Sequence, residues 1–170
     1  DTSKTALDRA AANFRGYFRQ AIEKGIMTRM QAAEVYPRLL VTRDVHELSD
    51  VDLVIEAIVE DLAAKRTLLQ SLEGICGPET IFATNSSTFT AGQLASAVGD
   101  PSKVVNMHFF NPAHVNRLVE IMPGERTSDH TLDTIAAVAE QMGKTVICVR
   151  RESPGGIAAR VSALIGAEAA

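Results

Sequence analysis

DVDLVIEAIVEDLAAKRTLLQSLEGICGPETIFATNSS, residues 50–87, holds two apolar runs on either side of one helical period. LVIEAIV (53–59) is rich in β-branched residues and too continuous for a half-exposed strand, the pattern of a strand covered on both faces. Leu62, Leu68, Leu69 and Leu72 then share one stripe, which predicts a helix over 61–74. IFAT (81–84) is the next strand, and it stops at Asn85-Ser86-Ser87-Thr88, residue types that favour caps and turns. Strand, helix and strand at this rhythm make a βαβ unit.

Downstream the rhythm persists. A helix is expected at about 90–98, then the strand VVNMHFF (104–110), broken by Asn111-Pro112. LVEIM (118–122) is a further strand. Thr127 or Ser128 caps a helix over 129–142 that Gly143 closes, and TVICV (145–149) is the last strand. Upstream, Leu7, Ala10, Ala11, Phe14, Phe18 and Ile22 predict a helix over 4–23 with Gly25 as its stop. A second helix covers 28–36, with Thr28 as N-cap and Pro37 just beyond its end, and LLV (39–41) is a brief strand. The expected class is α/β, a doubly wound, largely parallel sheet. SPGG (153–156) marks a hinge before a new helical region.

Composition sets the outer bounds. The 170 residues are 46% hydrophobic and 22% charged, ordinary for a soluble globular chain. Seventeen Lys+Arg against 21 Asp+Glu give a net charge of −4, which argues against a nucleic-acid partner. No apolar run approaches the roughly 18 to 20 residues needed to cross a bilayer, so no membrane association is expected. The polar start DTSKTALDRA is not a secretory signal. Cys76 and Cys148 form no CxxC pair and read as small core residues in a reducing compartment. The chain starts at Asp1 without a methionine and stops at Ala170 inside the helical-looking run ARVSALIGAEAA, so a piece of something longer is expected.

Ligands of doubly wound sheets bind beyond the carboxyl ends of the strands. Glu60 and Lys65 follow the first strand of the pattern, and Asn85-Ser86-Ser87 follow the second. His108 to Pro112 end the third, and the fourth carries Glu120. A histidine there exchanges a proton with a substrate oxygen, and a carboxylate on its other ring nitrogen fixes the tautomer and stabilises the imidazolium. Glu120 meets that need if its strand neighbours the one holding His108, while the Ser87 hydroxyl orients the reacting oxygen. The set describes reversible proton transfer at an alcohol or carbonyl. No GxSxG elbow points to a serine hydrolase, and no ligand spacing among His46, His108, His114 and His130 points to a metal. Glu56, inside an apolar strand, is expected to lie near a sheet edge or to be paired.

The runs DLVIEAIVEDLAAK (52–65), IFATNSST (81–88), HFFNPAHVNRLVEIMPGERTSDHT (108–131) and GKTVICVRRESPGG (143–156) together resemble the L-3-hydroxyacyl-CoA dehydrogenase family, in order and across essentially the whole chain. This family includes 3-hydroxybutyryl-CoA dehydrogenases and the dehydrogenase part of multifunctional β-oxidation proteins of fatty acid metabolism. The resemblance implies a Rossmann-like sheet and an oxidoreductase that interconverts L-3-hydroxyacyl-CoA and 3-ketoacyl-CoA with NAD as cofactor. It implies that His108 and Glu120 form a catalytic acid/base dyad, with Ser87 touching both substrate and nicotinamide. Asp1, Glu60, Lys65, Asn85, Ser87 and Asn111 stand at cofactor-binding positions, Asp1 as the acid that holds the adenosine ribose. Lys24 falls where the family reaches toward coenzyme A. An acyl-CoA substrate, a homodimer formed through a helical domain beyond this chain, and a cytoplasmic or mitochondrial matrix location are implied with it.

On this basis residues 1–152 are expected to be the NAD-binding domain and 153–170 the hinge and start of a C-terminal helical domain. The family's G-x-G-x-x-G turn would precede residue 1, so the chain by itself is expected to be inactive. The family's P-G-F-[IV]-x-N-R pattern reads Pro154-Gly155-Gly156-Ile157-Ala158-Ala159-Arg160 here. Gly156 replaces the phenylalanine, and Ala159 replaces an asparagine that helps hold the substrate carbonyl. Loss of one such amide costs roughly 2 to 4 kcal/mol of transition-state stabilisation. The alternative reading is a catalytically impaired or non-catalytic paralogue that keeps the fold and ligand binding.

Overall fold

The structure, a computed structural model, describes residues 1–157, 160, 161 and 164. It forms two compact units, Asp1–Glu47 and Leu48–Ala170.

The first unit is helical. Helix α1 (Lys4–Glu23) starts where Ser3 Oγ accepts a hydrogen bond from the Ala6 N–H. The predicted apolar stripe, Leu7 to Ile22, is its half-buried face. Helix α2 (Arg29–Val35) opens with a reciprocal box in which Thr28 and Gln31 satisfy each other's free N–H groups. A 3-10 turn, Tyr36–Arg38, continues it, so Pro37 sits within a helical turn, where its missing N–H does no harm. Tyr36 packs edge-to-face on Phe18 at 5.6 Å. The strand expected at 39–41 does not form. This unit has no strand among its described residues to complete a ladder, and Leu40 is left 82% exposed.

The second unit contains the sheet. Strands β1 (Leu53–Glu56), β2 (Ile81–Thr84), β3 (Val104–Phe109), β4 (Leu118–Pro123) and β5 (Thr145–Cys148) lie side by side in chain order. The β1–β2, β2–β3 and β4–β5 pairings are parallel, whereas β3–β4 is antiparallel. Helices α3 (Leu62–Glu73) and α4 (Ala91–Ala95) pack on one face with Phe82 and Val104. Helix α5 (Asp129–Gln141) closes the other over Ala83, Val105, Met107, Val119 and Ile121. Asp61 caps α3, Thr90 caps α4 and Ser128 caps α5, while Thr127 instead donates from Oγ1 to the Val104 carbonyl at 2.6 Å.

Strand β1 ends at Glu56 rather than 59 because the Glu56 carboxylate turns back to take the Ile58 N–H at 2.7 Å. β1 is only partly covered, not buried on both faces: Leu53 and Val54 are half-buried, Ile55 is exposed and Glu56 alone is buried. Cys148 is exposed on β5 rather than in the core. No helix among the described residues is long and apolar enough to cross a membrane.

Candidate active site

Strand alternation sorts the residues of the sheet. On the face covered by α3 and α4, side chains turn from apolar to polar toward the carboxyl ends: Phe82 and Thr84 on β2, followed by Ser86 just beyond its end, and Val104, Asn106 and His108 on β3. All six are buried. Glu120, fully buried on β4, belongs to the same face.

His108 and Glu120 are direct cross-strand partners. The imidazole Nδ1 lies 3.4 Å from Glu120 Oε2, and Nε2 lies 3.0 Å from Ser87 Oγ on the turn after β2. Phe110 sets its ring edge-on to the imidazole at 4.8 Å. The ring therefore has a carboxylate on one nitrogen and an exposed hydroxyl at the other, the arrangement for moving a proton at Nε2 while Glu120 balances the charge. Behind Glu120, the Ile157 N–H donates to Oε1 at 3.1 Å. Gly156 makes this approach possible. Its φ is +55°, and a Cβ there would strike the Glu120 carboxylate and come within 3.2 Å of Met122 Sδ.

A second cluster lies at the carboxyl ends of β1 and β2. Lys65 is buried and sends its ammonium to Glu56 Oε1 at 2.7 Å and to Glu60 Oε2 at 3.1 Å. Thr84 Oγ1 donates to the other Glu56 oxygen at 2.7 Å, so both oxygens of that carboxylate are hydrogen-bonded. Glu60 accepts from the Ser86 hydroxyl and from the Thr88 N–H. Partial burial pushes the Glu60 carboxyl up, but the bonds from Ser86, Lys65 and Thr88 together with the Lys65 charge outweigh it. The result lies below the ordinary carboxylate range. Asn85 Oδ1 accepts from the Phe109 N–H at 2.8 Å, tying the two strand ends together.

The structure thus brings together His108, Glu120 and Ser87, and it brings together Glu60 and Lys65. Asn85 lies between these groups in the chain, half-buried, and Asn111 follows β3 on the surface with a cis bond to Pro112. Asp1, which accepts from the Ser3 N–H, and Lys24, the C-cap of α1, belong to the first unit. Ala159 lies outside the described residues. Glu56 is paired with Lys65 on the outermost strand, as expected for it, whereas Ser86 and Asn106 have structural parts that sequence reasoning did not assign. A carboxylate inside an apolar strand, nine residues before a lysine, was the signal for Glu56, and an amide two residues before His108 on the same face was the signal for Asn106. No group of three metal-ligating side chains occurs among the described residues.

Comparison with known proteins decides the family. The model of the 3-hydroxyacyl-CoA dehydrogenase NAD-binding domain matches residues 1–153. The chain belongs to this family. A probable 3-hydroxybutyryl-CoA dehydrogenase of Bacillus subtilis is 35% identical over 161 residues, covering 95% of this chain and 56% of that protein. A fatty acid oxidation complex subunit alpha of Shewanella halifaxensis is 36% identical over 174 residues, all of this chain and 24% of that protein. The crystal structure of 3-hydroxybutyryl-CoA dehydrogenase from Escherichia coli K12 superposes with a TM-score of 0.94 at 32% identity, over 99% of this chain and 36% of that one. The chain spans about half, or less, of the length of these curated relatives. Within the 3-hydroxyacyl-CoA dehydrogenase family the sheet has its expected Rossmann-like character, with three parallel pairings of four.

Proposed function

We propose that this chain is the nucleotide-binding and proton-transfer part of an NAD-dependent L-3-hydroxyacyl-CoA dehydrogenase. The observation that carries the reading is the His108 ring held between Glu120 and the Ser87 hydroxyl. In the oxidative direction His108 Nε2 takes the proton from the C3 hydroxyl of the substrate, and Glu120 stabilises the imidazolium that results. In reduction the same nitrogen returns the proton to the carbonyl oxygen. Ser87, beside Nε2, holds that oxygen in line. Bound NAD supplies the hydride acceptor.

The donor set at the strand ends fits such a cofactor. Glu60 offers a carboxylate whose side chain is 40% exposed, Ser87 a hydroxyl, and Asn111 an exposed amide. Asn85 has its Oδ1 anchored on Phe109 and keeps its NH2 as a donor. We assign these four to the cofactor. Lys65 is buried, so its part is to hold Glu60 in place. Asp1 is assigned to the adenosine ribose, and Lys24 with Ser87 to the acyl-CoA, from the family pattern. Residues 1–152 are read as the NAD-binding domain and 153–170 as the lead into a helical, dimer-forming domain, in a cytoplasmic protein.

The test is turnover. Full-length protein is expected to oxidise NADH when acetoacetyl-CoA is supplied. Absence of that reaction in folded protein that binds NADH would overturn the reading.

A further inference from the structure

Asn106 is a buried amide that the reaction described above does not use. It lies on β3 opposite Thr84, the last residue of β2, and is 2% exposed. Its Nδ2 donates to the Ser86 carbonyl at 2.9 Å and, more weakly, to the Phe89 carbonyl at 3.5 Å. Its Oδ1 is buried and has no hydrogen-bond partner among the described residues. Exchanging the two amide atoms does not help, because it would aim an acceptor at two carbonyls. A half-satisfied amide in a protein interior is a net burden on stability, and such a group calls for a reason.

The residues it grips supply one. Ser86 and Phe89 bracket the turn that carries Ser87. Beneath the turn, Ser86 Oγ accepts from the Phe89 N–H at 2.8 Å and Glu60 accepts from the Thr88 N–H at 3.0 Å, which ties it toward β1. From β3 two ties reach the same stretch: the Phe109 N–H to Asn85 Oδ1, and Asn106 Nδ2 to the carbonyl of the residue just before Ser87. Asn106 and His108 are two residues apart on one strand and one face, a rigid spacing of roughly 7 Å. The grip of Asn106 on Ser86 therefore fixes Ser87 relative to the His108 ring.

We propose that Asn106 is a positioning residue that sets the Ser87 hydroxyl against His108 Nε2. This rests on the reading of His108 and Ser87 given above. The substitution Asn106→Leu keeps the branched shape, with two methyl groups in place of the amide atoms, and removes the donor. It trades one orphaned acceptor, Oδ1, for another, the Ser86 carbonyl, so the protein remains folded. Asn106→Ser is the second variant, polar but too short to reach Ser86.

The experiment is a double-mutant cycle in the full-length protein, with Ser87→Ala as the other arm, read by kcat for acetoacetyl-CoA reduction, KM for NADH and thermal melting. Asn106→Leu and Asn106→Ser are each expected to lower kcat roughly 10- to 100-fold, the scale of a side chain displaced by about 1 Å. KM for NADH should change no more than it does in Ser87→Ala, because the amide reaches the cofactor only through the turn that carries Ser87. In the Ser87→Ala background either change should then lower kcat by less than about twofold. In cofactor-free protein, the His108 Nε2 nitrogen resonance should move in the same direction in Ser87→Ala and in Asn106→Leu, since both lose the hydroxyl contact. A folded Asn106 variant with near-parental kcat overturns the proposal. So does an equal loss with and without Ser87, which would make the amide structural only. If Ser87→Ala is itself silent, the reading of Ser87 falls first and takes this inference with it.

Discussion

His108 and Glu120 face each other across the antiparallel pairing of β3 and β4, so one backbone register places a carboxylate beside the imidazole. In a parallel pairing the residue beside His108 would come from a strand that starts at the opposite edge of the sheet. The reversal at β4 brings the beginning of one strand to the end of the other, and the two side chains are buried together on the face of α3 and α4.

Glu120→Gln keeps the shape and a hydrogen-bonding oxygen but cannot balance an imidazolium. The expected result is a fall in kcat of roughly 10²- to 10⁴-fold, with KM for NADH little changed. Steady-state kinetics of acetoacetyl-CoA reduction measures both.

Gly156→Ala adds a methyl group that meets the Glu120 carboxylate, at a φ that also strains alanine. Stability should fall by about 1 to 2 kcal/mol. The fall in kcat should exceed what the lost stability explains, because the displaced group is the partner of His108. Denaturant unfolding run beside kinetics separates the two effects. Gly156, which stands where the family pattern has phenylalanine, is the position where Glu120 and the Ile157 N–H come together.

Lys65→Met leaves the buried Glu56 carboxylate without the cation that pairs with it. Removing one partner of a buried pair costs roughly 3 to 5 kcal/mol. The double change Lys65→Met with Glu56→Gln should recover a large part of it. Chemical denaturation of the three proteins provides the comparison, and a Lys65→Met protein as stable as its parent would contradict the buried pairing.

The Glu60 carboxyl is held below its ordinary range by Ser86, Lys65 and Thr88. A depressed folded-state value means that ionised Glu60 contributes stability above the unfolded value, and that this contribution is lost as pH falls through the folded value. The parent should therefore be more stable than Glu60→Gln at neutral pH. The gap should close on acidification, below the ordinary carboxylate range. Thermal melting at a series of pH values checks it.

Much of this was legible from periodicity. The helical stripe of α1, the end of β2 at Thr84 and the caps at Thr28 and Ser128 all follow from local pattern. Residues 39–41 show the limit: three apolar residues have strand character, but a strand exists only where a neighbour completes its hydrogen bonds. The direction of β4 was not read from the sequence, although its signal was present. Only eight residues join Phe109 to Leu118, fewer than the dozen or so that a parallel crossover needs. The buried network of Glu56, Lys65 and Thr84 was not readable, because it depends on which side chains three separate elements turn toward one another.

Proton transfer through His108 is the claim on which the rest depends, and His108→Ala in the full-length protein probes it. Turnover of acetoacetyl-CoA with NADH should fall roughly 10²- to 10⁴-fold, while NADH binding and the melting temperature stay near the parent. Turnover within a few-fold of the parent would contradict the assignment of His108 as the proton-transferring group.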